Sequence, residues 1–191
     1  MNDEDEGLWV RSEVMPNGTY GVALNVGPDR SWVLNRDRVL AYAVSCFARA
    51  TETEHDAAVF SALTSLRLDD ETVSQVITRD LRPDRPDEHE DTKPLRFTIA
   101  LGRSRSTRKI VPLLQMHLDG MGEAGQLTPA DLRDHAGGVL KALRAADLDA
   151  ALHRVLIGTV GVPDHTARGL IGSLAEHWPE QRSPRAARES T

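Results

Sequence analysis

The first third of the chain alternates apolar and polar positions with a period of two before it changes to a helical period. Leu8–Val14, Tyr20–Val26 and Ser31–Leu34 each have the length and alternation of a β-strand. Pro16-Asn17-Gly18 separates the first two, and Asn-Gly tolerates the positive φ that a tight hairpin turn requires. The pattern therefore predicts an antiparallel meander of three strands.

A long amphipathic helix is predicted after the meander, with Asn35 as its N-cap. Apolar residues then recur at alternating steps of four and three, which places them on one helical face. An unbroken helix from Arg36 to about Thr64 would be on the order of 43 Å long, and a break near Thr51–Thr53 is the alternative. The apolar positions are Val39, Ala43, Cys46, Ala50, Thr53, Ala57 and Phe60.

A second helix and then a loop are predicted in the middle of the chain. Asp69 is in position to cap a helix whose residues Val73, Val76, Ile77 and Leu81 share one face. The segment 82–94 follows it with three prolines and five acidic residues. Because this composition disfavours both a helix and a buried face, 82–94 is predicted to be an acidic, proline-rich loop or linker.

The second half is predicted to begin with a hairpin and to end with helices. Leu95–Leu101 and Ile110–Leu118 indicate the two strands of a β-hairpin. Thr128, followed by Pro129 and Asp131, is typical of a helix N-terminus. Asp147 and Asp164 are predicted to cap two further helices, the last of which ends near Trp178.

Together these elements predict an α+β fold. One antiparallel sheet of about five strands packs on the long helix, beside a C-terminal cluster of three helices. Residues 95–178 are expected to form one domain with residues 1–81. The tail, residues 179–191, is polar and is predicted to be disordered.

Composition narrows the classes of protein to be considered. A single cysteine, Cys46, excludes an intramolecular disulfide and a multi-cysteine zinc site. No apolar run has the roughly 20 residues that cross a bilayer, so a cytoplasmic protein without membrane contact is expected. The net charge of −6 argues against a general polyanion binder. From residue 95 onward, however, 13 bases outnumber 10 acids, so an anionic partner would contact the second half.

The segment Gly161–Arg168 resembles the turn and recognition helix of bacterial helix-turn-helix regulators, and the resemblance extends over residues 152–174. It implies DNA binding, with His165, Thr166 and Arg168 near or on the exposed side of the second helix. Three features depart from the motif: glycines within the second helix (Gly169 and Gly172), a single cation, and Ile157 where a small residue is usual. The alternative is an ordinary pair of core helices.

The tip of the second predicted hairpin is the strongest candidate for anion binding. Arg103, Arg105, Arg108 and Lys109 alternate there with hydroxyl residues. Cations and hydroxyls so closely spaced can grip phosphate groups through charge-assisted hydrogen bonds. The alternative is a solvated hairpin tip without a ligand.

Motifs for catalysis, metals and nucleotides are incomplete. The run Gly120–Gly125 matches the letters of the dinucleotide fingerprint, but the helix signals come after it and Glu123 would oppose the phosphates. Glu52 and His55 have the spacing of di-iron helices without the second such pair that the site requires. Asp149 and His153 are expected to form a local contact across one helical turn. No cofactor, metal or enzymatic activity is predicted.

Two further segments carry a family resemblance. Asn25–Trp32, followed by Glu54–Val59, resembles small proteins of high-GC Gram-positive bacteria and their phages to which no activity is attached. The sequence-based hypothesis is a non-catalytic binding or accessory protein that acts through protein contacts and self-associates along the long helix. The alternative is a small DNA-binding transcriptional regulator that uses residues 152–174.

Overall fold

The computed structural model of the protein describes residues 8–26, 30–81, 95–103, 110–118, 122–175 and 181–182. These residues form an α+β structure with two antiparallel sheets and several helices, as the sequence pattern predicted in outline. The sheets have the strand orders β3-β2-β1-β7 and β4-β5-β6.

The first sheet contains the predicted meander. Strand β1 (Leu8–Val14) pairs along its whole length with β2 (Tyr20–Val26), which pairs in turn with β3 (Arg30–Leu34). Gly18 in the connecting turn has a φ of 82°, as the Asn-Gly signal predicted. On the other side of β1, the short strand β7 (Gln181–Arg182) pairs with Trp9 and Val10.

The second sheet contains the predicted hairpin and one further strand. Strands β4 (Leu95–Arg103) and β5 (Ile110–Leu118) are antiparallel, and β6 (Gly122–Leu127) adds to the outer side of β5. The prediction of one sheet of about five strands is therefore wrong in its detail. Within each sheet, strands that follow one another in the sequence pair with each other. Strand β6 contains two glycines and lacks apolar alternation, so the sequence pattern did not predict it.

Helix α1 (Arg36–Ser65) is continuous over 30 residues, so the alternative of a break near Thr51–Thr53 is wrong. Both threonine hydroxyls donate to the carbonyl four residues earlier, an arrangement that accommodates threonine inside a helix. Six of the seven predicted face positions are buried, and Ala57 is half-buried. At the N-terminus, the Asn35 side chain accepts a hydrogen bond from the Arg38 N–H, as expected of an N-cap.

Helix α2 (Asp70–Gln75) begins at the predicted cap. The Asp69 side chain accepts the Thr72 N–H at 2.9 Å. The helix then continues as a π-helical segment, Val76–Leu81. Val73 and Ile77 are buried beside Phe60 in a small apolar cluster, whereas Leu81, predicted on the same face, is exposed.

Two long C-terminal elements replace the predicted three helices. Helix α3 (Pro129–Val155) starts with a reciprocal capping arrangement between Thr128 and Asp131 and runs through Asp147 without interruption. The prediction that Asp147 caps a new helix is wrong, because Asp147 lies inside the continuous α3, where its carboxylate accepts a hydrogen bond from Arg36. Helix α4 (Asp164–Ala175) follows.

The chain divides into two compact units. The first consists of residues 1–43 and 134–191, and the second is the continuous stretch 44–133. The division falls inside α1 and inside α3. In the first unit, the described core includes Val22 and Leu24 on β2 together with Val139 and Leu143 on α3. In the second unit, Leu114 and Leu132 are among the buried side chains.

Candidate functional site

The residues that resemble a helix-turn-helix form two helical segments joined by a tight turn. Helix α3 continues as the π-helical segment Leu156–Val160, which ends at Gly161 in the left-handed conformation with a φ of 76°. The N–H of Val162 donates to the carbonyl of Leu156 at 2.9 Å and closes the turn. Among the described residues beyond its own turn, none lies within 4 Å of the position that a Cβ would take at Gly161, so it is the positive φ that favours glycine there.

Helix α4 has one buried and one exposed face. Ala167 and Ile171, four residues apart, are buried. His165 and Thr166 are exposed and contact each other at 3.2 Å between Nε2 and Oγ1. Leu170 and Leu174 are exposed as well, so the outward face of α4 is partly apolar.

Arg168, the only Lys or Arg in α4, is committed to an intrahelical ion pair. Its guanidinium donates to both carboxylate oxygens of Asp164, at 2.8 and 3.2 Å. This pairing lowers the pKa of Asp164 below its ordinary value and raises the pKa of Arg168. The guanidinium also lies against the β1–β2 turn, where a Cβ on Gly18 would be 2.7 Å from Nη2. The positive charge is therefore largely neutralised.

A polar corner surrounds this ion pair and consists of residues from distant parts of the sequence. His153 Nε2 lies 3.0 Å from Asp164 Oδ1, without the alignment of a hydrogen bond. The ring of Tyr20 packs edge-on against His153 at 5.7 Å between centroids, and its hydroxyl is buried without a hydrogen-bond partner. Burial raises the pKa of Tyr20, and the carboxylate of Asp149 raises it further.

The polar corner differs from the sequence-based prediction. Asp149 and His153 were expected to contact each other across one helical turn. Instead, Asp149 accepts a hydrogen bond from Ser12 at 2.7 Å, and His153 faces Asp164. Tyr20 and Ser12 were not predicted, because their role depends on long-range packing of the hairpin that no local pattern encodes.

A second feature of the region is a set of large apolar side chains that remain more than a third exposed. On α3, three of them recur at steps of four and three and so share one helical face. Others lie in the uncharged segment 156–163 that joins α3 to α4, and two lie on α4 itself. The residues are Leu148, Leu152, Val155, Ile157, Val160, Leu170 and Leu174, which we call the C-terminal apolar surface.

The predicted anion-binding hairpin tip lies mostly outside the described residues. Arg105, Arg108 and Lys109 fall there, and Arg103 is the last residue of β4, with a side chain that is also outside the described part. In α1, Glu52 pairs with Arg49 at 3.2 Å, and His55 lies 3.8 Å from Asp56. Glu52 thus has an ionic partner, and His55 has a neighbouring carboxylate.

Searches for metal clusters, membrane spans and related proteins gave negative results. Within the described ranges, no group of three or more His, Cys, Asp or Glu side chains is arranged to hold a metal ion. None of the helices in those ranges combines the length and hydrophobicity needed to cross a membrane. Comparison with family models, curated proteins and solved structures found no match to the chain.

Proposed function

We propose that the protein is a non-catalytic binding protein that acts through protein contacts made by its C-terminal apolar surface. The observation that carries the proposal is the exposure of seven large apolar side chains within residues 148–174. Exposed apolar patches of this kind are typical of surfaces that bind other proteins. The partner expected here presents a complementary apolar surface with little charge.

Charge supports a protein partner over a nucleic acid. Segment 156–163 carries no charged residue, and the single guanidinium of α4 is paired with Asp164. A surface that binds the DNA backbone requires several unpaired cations to neutralise phosphates. Interface cores, in contrast, are depleted in charged residues.

The proposal is tested by substitutions on α4 with a matched control. Leu170→Lys and Leu174→Lys place a charge on the apolar surface, whereas Ser173→Lys places the same charge at an exposed polar position of the same helix. A partner captured from the native host is purified and recombined with each variant. We expect binding to weaken at least about tenfold for the leucine variants and little for Ser173→Lys. Equal binding by all variants would contradict the proposal.

A second candidate function is DNA binding by the turn and α4. It is favoured by the left-handed Gly161 and by the exposed His165 and Thr166 at the start of the helix. It predicts salt-sensitive binding to duplex DNA that Arg168→Ala weakens. Retention of the wild-type protein on duplex DNA, lost in that variant, would favour this function over protein binding.

A further inference from the structure

The chain that leads from the core of α3 to the middle of α4 contains no buried residue. Ala146 is the last buried residue of α3, and every residue from 147 to 166 is half-buried or exposed. Residues 157–161 are all exposed, and they include most of the π-helical segment and the left-handed Gly161. A segment with so few buried contacts opens at a low cost in free energy. Residues 157–161 therefore have the properties of a hinge between the two helices.

Helix α4 itself is held by a small buried surface. Of residues 164–174, Ala167 and Ile171 are buried, and one of the two is only an alanine. Gly169 and Gly172 lower the intrinsic stability of the helix further. After α4, the next described pairing is that of β7, which joins β1 at two residues. The helix can thus leave its place with the loss of few apolar contacts.

The closed position of α4 leaves a tyrosine hydroxyl without a hydrogen bond. The hydroxyl oxygen of Tyr20 is buried and has no hydrogen-bond partner among the described residues. Its ring contacts His153 on α3. Burial raises the pKa of this hydroxyl, and the charges of Asp149 on α3 and of Arg168 and Asp164 on α4 act on it as well. The hydroxyl is therefore close to both helices, and its lost hydration opposes their closure.

We propose that α4 is a lid, which swings about residues 157–161 while the rest of the first unit stays folded. Opening hydrates the Tyr20 hydroxyl and exposes Ala167 and Ile171. Closure buries these two side chains and returns the Arg168 guanidinium to the β1–β2 turn. The gain in burial is offset in part by the unpartnered hydroxyl, so the open form is populated within the native state. The inference goes beyond the proposed function, because the motion requires no partner.

Native-state hydrogen exchange of the full wild-type chain, measured by mass spectrometry, tests the motion. Amides of α4 should exchange at least about a hundredfold faster than those around Val139 in α3, because α4 opens alone. Their exchange should also accelerate modestly with urea, since opening exposes buried apolar surface. Equal protection of the two helices would overturn the inference. Exchange of α4 that is independent of urea would indicate fraying of the helix and would overturn it as well.

Thiol labelling provides a second measurement with a matched control. Ala167→Cys and Ala136→Cys make the same change at two fully buried alanines, one on the lid and one in the core of α3. The thiol introduced at 167 should react at least about a hundredfold faster than the one at 136. The native Cys46, buried on α1, supplies the baseline in both variants and in wild type. Circular dichroism confirms that the variants fold, and equal reaction rates at the two positions would overturn the inference.

The two tyrosines of the chain form a natural pair for testing the hydroxyl. Tyr20→Phe removes the hydroxyl that opposes closure, so exchange of α4 should slow at least about threefold. Tyr42→Phe removes a hydroxyl that has His135 as its partner at 2.8 Å, and it should not slow the exchange of α4. Exchange of α4 in Tyr20→Phe that is as fast as in wild type, or faster, would overturn the role assigned to Tyr20.

The lid and the proposed binding surface fail separately. Exchange and labelling are measured without a partner, so they do not depend on the protein contacts proposed above. An α4 that exchanges only when the whole first unit unfolds would overturn the lid, while Leu170→Lys could still weaken partner binding. Equal partner binding by Leu170→Lys and wild type, with fast exchange of α4, would overturn the binding surface and support the lid.

Discussion

The imidazole of His135 is 4% exposed and has a buried tyrosine as its neighbour. The hydroxyl of Tyr42 lies 2.8 Å from His135 Nε2, and the two rings pack edge to face. Burial disfavours the charged imidazolium and lowers the pKa of His135 to about 4. The histidine is therefore neutral in the folded protein at neutral pH.

This shift predicts that acid destabilises the fold. The folded-state pKa lies below the ordinary value of 6.5, so the unfolded chain binds the proton more readily between those pH values. The stabilisation is fully present above pH 6.5 and is lost as the pH falls toward 4, by up to about 3 kcal/mol. Urea unfolding from pH 7 to 4 measures the loss. His135→Gln, which does not titrate, should show a shallower pH dependence, and an identical dependence would contradict the prediction.

A second prediction at the residue scale concerns Gly18. Its φ of 82° is unfavourable for any residue with a Cβ, and that Cβ would be 2.7 Å from the Arg168 guanidinium. Gly18→Ala should lower the free energy of unfolding by about 1–2 kcal/mol. Gly137→Ala is the control, because Gly137 lies inside α3 with open space at the Cβ position. It should raise stability by about 0.5–1 kcal/mol, and destabilisation by both variants would argue against this account.

At the scale of elements, helix starts were predictable where the cap is local. Asn35, Asp69 and Thr128 each bond to a group three residues ahead, so the signal lies within a few residues of sequence. Asp147 has the same local pattern but bonds to Arg36, 111 residues earlier in the chain. Local sequence cannot distinguish a capping aspartate from one that has a distant partner, and this is why the length of α3 was not predicted.

The contrast between Asp147 and Asp69 is measurable. Asp147→Ala removes an exposed ion pair of about 0–1 kcal/mol while introducing a better helix former, so stability should change by less than about 0.5 kcal/mol. Asp69→Ala removes a true N-cap and should cost about 1 kcal/mol. Thermal unfolding compares the two. An equal loss in Asp147→Ala would indicate that a helix does begin at Asp147.

At the scale of the whole molecule, sequence indicated the α+β class but not how the strands are distributed between sheets. Strand pairing depends on contacts between distant segments, and the glycine-rich β6 gave no periodic signal. The polar corner was not predictable for the same reason, since Ser12 and Asp149, which form a hydrogen bond there, are 137 residues apart. Of the candidate site residues, His165 and Thr166 are exposed as predicted. Arg168, in contrast, forms an ion pair with Asp164 in the same helix.

The charge of the whole molecule leads to a prediction about polyanions. With a net charge of −6 and Arg168 paired, the wild-type protein should be retained weakly on heparin at physiological salt. Asp164→Asn removes the counter-charge and should shift elution to higher salt, whereas Arg168→Ala should change it little. Elution positions on a salt gradient measure this. A large shift toward lower salt in Arg168→Ala would show that the guanidinium already contacts the polyanion.

The discontinuous first unit has a consequence for biosynthesis. Residues 1–43 leave the ribosome before the second unit, whereas the residues that complete the first unit, from 134 onward, are made after the second unit. The contact between Tyr42 and His135 can therefore form only after the 93 residues that lead to His135 have been translated. The stretch 44–133 is contiguous, so it is the unit that a nascent chain can complete first. A product terminated just after residue 133 would contain all of this unit but would lack the residues from 134 onward that the first unit requires.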